Sequence, residues 1–228
     1  MKFLVISDLH GNLDVLDKME GIFKEADAVL FAGDFAKFGE SATGLPALEK
    51  LCRMHDSIYA VIGNCDEPSF LDELDKKDIS VEGSLTSLDG LSVAGSGGGS
   101  KFTGTTPFER TDEELVSDFG MVTAQGGGEW DNLIAIMHNP PKDTKCDSIP
   151  GGVHVGSPLL RKFIEDYKPL AVITGHIHES AGVDKIGGTT VINPGPLLEG
   201  CYAWLTVGKS GGKWEVKQVD LKNVLANK

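Results

Sequence analysis

Residues 3–10 are Phe3-Leu4-Val5-Ile6-Ser7-Asp8-Leu9-His10, an apolar run that delivers an Asp-x-His pair at its end. The run lacks the apolar/polar alternation of a half-exposed strand, so it is predicted to be a strand covered on both faces. Four more runs repeat the design. Residues 28–32 lead into Gly33-Asp34, and residues 58–62 into Gly63-Asn64-Cys65-Asp66. Residues 133–137 lead into His138, and residues 170–174 into Gly175-His176-Ile177-His178. Each predicted strand ends on side chains that bind metals, at the edge where open α/β sheets place their ligands.

Helical patterns lie between these runs. Apolar spacing predicts helices over 13–24 and 44–54. A third opens at Ser157-Pro158, with Ser as N-cap and Pro at the first helical position, and stops before Pro169. Asp89-Gly90 sits between two short β-type segments and predicts a hairpin. Two further hairpins are predicted around Gly187-Gly188 and between 202–207 and 214–219. The N-terminal part is thus β/α and the C-terminal part mostly β. No composition break marks a linker, so residues 1–228 are expected to form one domain. The stretch 95–128 is glycine-rich at both ends, with an acidic helix predicted over 111–119. It is either a surface excursion or a flap over the active site.

The donor side chains form a coherent set: Asp8, His10, Asp34, Asn64, His138, His176 and His178. In Asp-x-His and His-x-His, alternate residues of an extended chain point the same way. This mixed nitrogen and oxygen set suits Mn, Fe, Zn, Co or Ni better than Ca or Mg. Seven donors exceed one tetrahedral zinc and suit two ions sharing a carboxylate, with Asp34 as the natural bridge.

The ordered string Asp-x-His, Gly-Asp, Gly-Asn-Cys-Asp, His, Gly-His-x-His resembles the calcineurin-like metallophosphoesterases, and Asn193-Pro194-Gly195 resembles their closing turn. His138-Asn139-Pro140-Pro141, residues 152–157 and Gly175-His176-Ile177-His178-Glu179-Ser180 are similar to a bacterial and archaeal subgroup, the Icc-related predicted phosphoesterases. The resemblance implies a four-layer αββα sandwich, two mixed β-sheets flanked by helices. It implies one metal held by Asp8, His10, Asp34 and His178, and a second by Asp34, Asn64, His138 and His176. It also implies a metal-dependent phosphoesterase, most simply a phosphodiesterase acting on a small phosphate ester or nucleotide. Two divalent ions about 3.5–4 Å apart, with Mn favoured, would hold the attacking hydroxide and neutralise developing charge.

Cys65 departs from the family pattern. Many relatives carry His there, thought to protonate the leaving group, with the following acid orienting it; Cys65 and Asp66 hold those positions here. A thiol is a different proton donor from an imidazolium, and losing a positioned acid costs about 10²–10⁴ in rate. This points toward diesters with good leaving groups. The alternatives are a phosphomonoesterase, or a weakly active scaffold of the same fold. His154 is either a replacement acid or substrate contact on a loop folded over the metals, or an ordinary loop histidine. Lys101, Arg110 and Lys142 lie in Gly- or Pro-rich loops, either as solvated charges or as phosphate contacts.

With 21 Lys and Arg against 34 Asp and Glu, the net charge is −13. That argues against non-specific nucleic-acid binding and against docking on anionic membranes. Bound metals reverse the field locally, so a small phosphate ester stays compatible. Cys52, Cys65, Cys146 and Cys201 show no zinc-finger spacing, and so few cysteines suggest reduced thiols and a cytoplasmic home. Cys146 is expected to be a loop thiol, and His55 a surface residue. Asp8 interrupts the first apolar run too early for a signal-peptide core. The hairpins are candidates to pair across a homodimer.

Overall fold

A computed structural model of the chain describes residues 1–126 and 128–226. Gly127 of the 95–128 excursion, and Asn227 and Lys228 at the end of the predicted 1–228 domain, lie outside the described residues.

Two large mixed sheets carry the fold. The first contains β1 (Lys2–Ile6), β2 (Ala28–Phe31), β3 (Ile58–Ala60), β14 (Cys201–Ser210) and β15 (Lys213–Asn223), in the order β15-β14-β1-β2-β3. β1, β2 and β3 are parallel, and β14 and β15 are added antiparallel. The second sheet contains β4 (Leu85–Leu88), β5 (Leu91–Ser96), β8 (Leu133–Met137), β11 (Ala171–Ile173), β12 (Gly182–Ile186) and β13 (Thr189–Asn193). Its order is β12-β13-β11-β8-β5-β4, with a parallel centre and an antiparallel hairpin strand at each edge. All three predicted hairpins are therefore present. Two small ribbons, β6 (Gly99–Ser100) with β7 (Glu109–Arg110), and β9 (Ser148–Ile149) with β10 (Val153–His154), stand outside the sheets.

The unbroken apolar runs follow from burial on both faces. Phe3 and Val5 point into the core between the sheets, where they meet Leu30, Ile134, Ile136 and Ile173. Leu4 and Ile6, alternating with them, pack outward with Phe31 beneath helices. Those helices are α1 (Leu13–Asp17), α2 (Glu20–Phe23), α3 (Gly44–Met54) and α4 (Leu71–Lys76). The outer face of the second sheet is covered by α5 (Asp112–Ser117), α6 (Gly120–Thr123) and α7 (Pro158–Tyr167), with Leu115, Phe119, Leu160 and Phe163 packed on Ala135, Met137 and Val172. The layers run helix, sheet, sheet, helix, as the resemblance implied. Each fully buried Leu, Ile or Phe contributes about 1.5–3 kcal/mol.

The helix over 13–24 is broken, a correction to the sequence reading. The chain turns at Lys18-Met19, and Met19 has φ −102° and ψ 0° before α2 starts. Leu16, Met19 and Phe23 are nevertheless all buried, so the periodicity reports the buried face but not the break. The third helix is as predicted. The Ser157 Oγ accepts Leu160 N–H at 3.2 Å, and Lys168, at φ +51°, ends the helix before Pro169. Thr111 caps α5 through a capping box with Glu114, although the helix stops at Ser117 rather than Phe119. Among the described residues no helix is long and apolar enough to cross a membrane.

Candidate metal centre

Strand ends and tight turns bring the seven donor residues together between the sheets. Asp8, His10, Asp34 and Asn64 follow strands of the first sheet, and His138, His176 and His178 follow strands of the second. Asp8, His10, Asp34 and His176 all have positive φ, from 47° to 68°. Left-handed backbone costs a non-glycine residue roughly 1–3 kcal/mol and concentrates at functional sites. Gly63 packs where a Cβ would strike the Asp34 carboxylate and backbone, so no larger residue fits beneath that turn.

Asp34 lies at the middle. One oxygen, Oδ1, accepts the Cys65 N–H at 2.8 Å. The other, Oδ2, is 3.6 Å from His10 Nε2 and 3.6 Å from His138 Nε2. On one side, His178 Nε2 is 3.4 Å from Asp8 Oδ1 and 3.2 Å from His10 Nε2. On the other, His138 Nε2 is 2.8 Å from Asn64 Oδ1, and the His138 and His176 rings are 5.2 Å apart. Donor atoms of Asp8, His10 and His178 lie within 4.8 Å of one another, as do those of Asp8, Asp34 and His138.

Outer contacts aim the rings. His138 Nδ1 donates to Ala32 O at 2.6 Å, and His10 Nδ1 to Ala36 O at 3.2 Å. With Nδ1 protonated, each Nε2 presents its lone pair to the cluster, as in metal-binding histidines. Burial pushes His138 below the ordinary imidazole range. Burial, then the charge on His138, pushes His176 down to about 3. Burial opposes ionisation of Asp8 too, but the hydrogen bond with His178 and the neighbouring imidazoles hold it below the usual carboxylate range. Burial and then the Asp8 charge push Asp34 up to about 6. Among the described residues neither carboxylate is paired with Lys or Arg; their ion-pair partners are histidines. Crowded carboxylates with inward-facing imidazole lone pairs and no fixed cation form a donor set that fits divalent metal ions.

Cys65 is 7% exposed. Its donor atom lies within 4.8 Å of those of His10 and Asp34, and the Asn64 amide donates to its sulfur at 3.7 Å. Burial, then the Asp34 charge, pushes the thiol well above its ordinary range, so it stays protonated at neutral pH. Asp66 does not orient the Cys65 side chain. Its carboxylate is buried and accepts the N–H groups of Gly63, Asp34, Phe35 and Ala36 at 2.8, 3.1, 3.2 and 2.7 Å. It fixes the Asp34 turn instead.

His154 is held by a neighbouring carboxylate. Its Nδ1 is 2.7 Å from Asp147 Oδ1, and this bond raises its pKa. It does not line the cleft beside Asn64 and His176; its neighbour Val155 does. Arg110 is spent internally, on Asp118, Gly97 O and Glu114 O. Lys101, by contrast, lines the cleft. Cys146 is a loop residue but fully buried, whereas Cys52 and Cys201 are only half-buried. The His55 ring is half-buried, 3.2 Å from Ala26 O and 2.9 Å from Ser57 O. The sequence reading missed Ser100, Phe102, Ile149 and Ile177, which also line the cleft. Phe102 carried the one available signal, an aromatic residue among the small and polar residues of the 95–106 loop. A larger groove, of about 670 Å³, lies at the amino end of β11 and holds none of the candidate donors.

Two mixed sheets meeting at a cluster of Asp, Asn and His describe a metallophosphoesterase. The chain matches the family model for calcineurin-like phosphoesterases over residues 1–180 and belongs to that family. It is 34% identical over 203 residues to the uncharacterized protein MJ1162 of Methanocaldococcus jannaschii, covering 86% of this chain and 88% of the relative. Among solved structures, it is similar to TT1561 of Thermus thermophilus (TM-score 0.71, 19% identity, 98% of each chain). It also resembles a dimetal phosphatase from Danio rerio (TM-score 0.64, 12% identity, 98% of this chain and 99% of that one). At those identities the structural likeness is one of fold.

Proposed function

We propose that the protein is a binuclear metal-dependent phosphodiesterase acting on small phosphate esters. Asp8, His10, Asp34 and His178 would hold one ion, and Asp34, Asn64, His138 and His176 the other. The observation that carries this reading is Asp34 Oδ2, equidistant at 3.6 Å from an imidazole of each half. Divalent ions in such a site supply charge neutralisation for phosphoryl oxygens and activate water as a nucleophile. Mn is favoured, and Fe, Zn, Co and Ni also accept these donors.

The chain's own groups do the rest. The Ala32 and Ala36 carbonyls hold two imidazoles in the lone-pair-inward tautomer. Asp66 holds the Asp34 turn. Lys101 offers a positive charge at the cleft. The thiol of Cys65 stays protonated but is too weak an acid to assist a poor leaving group, and this favours diesters with good leaving groups over monoesters. A small soluble substrate and a cytoplasmic setting agree with the acidic charge and free thiols.

The test is hydrolysis of bis(p-nitrophenyl) phosphate by metal-stripped protein with Mn²⁺ restored, beside Asn64→Ala. Turnover that depends on Mn²⁺ and falls by about 100-fold or more in the variant is expected. A metal-loaded protein inert with Mn²⁺, Zn²⁺, Co²⁺ and Ni²⁺ would point instead to the scaffold reading.

A further inference from the structure

Beside Asn64 and His176 lies a cleft of about 280 Å³. Ligand pockets run from about 300 to 1,000 Å³, so this one suits a single ring system rather than a polymer. One wall is apolar, from Ile149, Val155 and Ile177. Ser100, Lys101, Phe102 and Thr103, from the start of the 95–128 excursion, supply another part of the lining. There Gly99 packs so closely that a Cβ would come within 3.1 Å of Asn64 and 3.3 Å of His176. The cleft is therefore continuous with the proposed metal centre.

Phe102 lines this cleft yet is 91% exposed. Its loop is firmly built. Glu109 accepts the N–H groups of Phe102, Gly104 and Thr105 at 2.8, 2.9 and 3.1 Å. Asn139, next to His138, accepts Ser100 N–H at 2.9 Å. A rigid loop that holds an aromatic ring in water forgoes the burial such a ring normally gains. An uncovered ring face beside an apolar wall suits a flat ring system.

We propose that this cleft is a subsite for a planar aromatic group on the ester arm that stays with the phosphate when the leaving group departs, with Phe102 as its stacking face. The proposal rests on the phosphodiesterase reading and adds to it the residues that select the ester.

The experiment compares diesters with one common leaving group. Mn²⁺-loaded protein is given thymidine 5′-(p-nitrophenyl phosphate), ethyl p-nitrophenyl phosphate and octyl p-nitrophenyl phosphate. The thymidine ester is expected to lead the ethyl ester by about tenfold in kcat/KM, mainly through KM, a gain of the size that ring stacking gives. Phe102→Ala should bring that ratio toward one, and Phe102→Trp should keep it. Saturation-transfer NMR of free thymidine with Zn²⁺-loaded protein gives a readout without turnover. Transfer is expected with the parent chain and is lost in Phe102→Ala. Equal thymidine and ethyl rates, a ratio that survives Phe102→Ala, or an octyl ester as good as the thymidine ester would overturn the aromatic subsite. If no ester turns over, the phosphodiesterase reading fails, and the presence or absence of saturation transfer still decides the subsite.

Discussion

The Asp66 carboxylate accepts the backbone N–H of Asp34 at 3.1 Å, and three further N–H groups from the two turns around it. The carboxylate thus acts as a template for the backbone on which the central candidate ligand is mounted. Asp66→Asn replaces one of the two acceptor oxygens by an amide that faces donors. Each orphaned buried N–H costs about 1–3 kcal/mol. Asp66→Asn is expected to lower the thermal midpoint and to reduce bound metal, measured by calorimetry and elemental analysis. A variant with unchanged midpoint and metal content would remove this role.

Asp34→Asn leaves the shape of the site but removes its shared charge. The expected outcome is that bound divalent metal falls from two equivalents toward one or none, with diester turnover down by about 10³-fold or more. Two equivalents retained with full turnover would rule Asp34 out as the bridge.

In the proposed reaction Cys65 would set the leaving-group dependence. With a thiol that stays protonated, rates across a series of diesters should fall steeply as leaving-group pKa rises. Cys65→His should flatten that slope and raise the rate for poor leaving groups by about 10²-fold. Parallel slopes in the two proteins would show that this position does not serve proton transfer.

Glu82 is the pH-sensitive buried carboxyl away from the centre. Burial, then the Asp118 charge, push it up to about 7 despite Arg110, whose Nη1 is 3.7 Å away. Its folded pKa lies above its unfolded value of 4.5. The stability it contributes is therefore fully present below pH 4.5 and is lost as pH rises through 7. The loss reaches about 3 kcal/mol at most. Glu82→Gln should flatten the stability profile across that window, as read by urea titrations at pH 4.5, 6 and 8. A slope equal to the parent's would count against it.

Arg110 binds Asp118 through two bonds of 2.5 and 2.9 Å, with both side chains only 14% exposed. Breaking a buried pair from one side costs about 3–5 kcal/mol. Arg110→Ala is expected to destabilise the chain by that order and to open the 97–110 loop to limited proteolysis. Unchanged cleavage and midpoint would mean that the loop is held by Glu109 alone.

Much of this was legible in sequence because the donors follow their strands directly. His138 and His176-Ile177-His178 needed no long-range information beyond the runs before them. What was hidden depends on direction. A carboxylate at 66 reads the same in sequence whether it turns to Cys65 or to the backbone of Gly63 and Asp34. His154 and Val155 are neighbours in one short loop, and only the chain's local path decides which lines the cleft. The break at Lys18-Met19 leaves the apolar spacing of Leu16, Met19 and Phe23 intact, so periodicity could not mark it. Phe102 stands out as an aromatic in a polar loop, but its exposure beside Asn64 and His176 comes from folding.

The donors come from both sheets: Asp8, His10, Asp34 and Asn64 from one, His138, His176 and His178 from the other. Occupancy of such a centre would rivet the two halves of the sandwich across their seam. A slip of one sheet by a fraction of an ångström, harmless to an apolar core, would separate donors that must converge. Activity would then gauge the alignment of the halves, and substitutions deep between the sheets, far from any substrate, would register in turnover before they registered in melting.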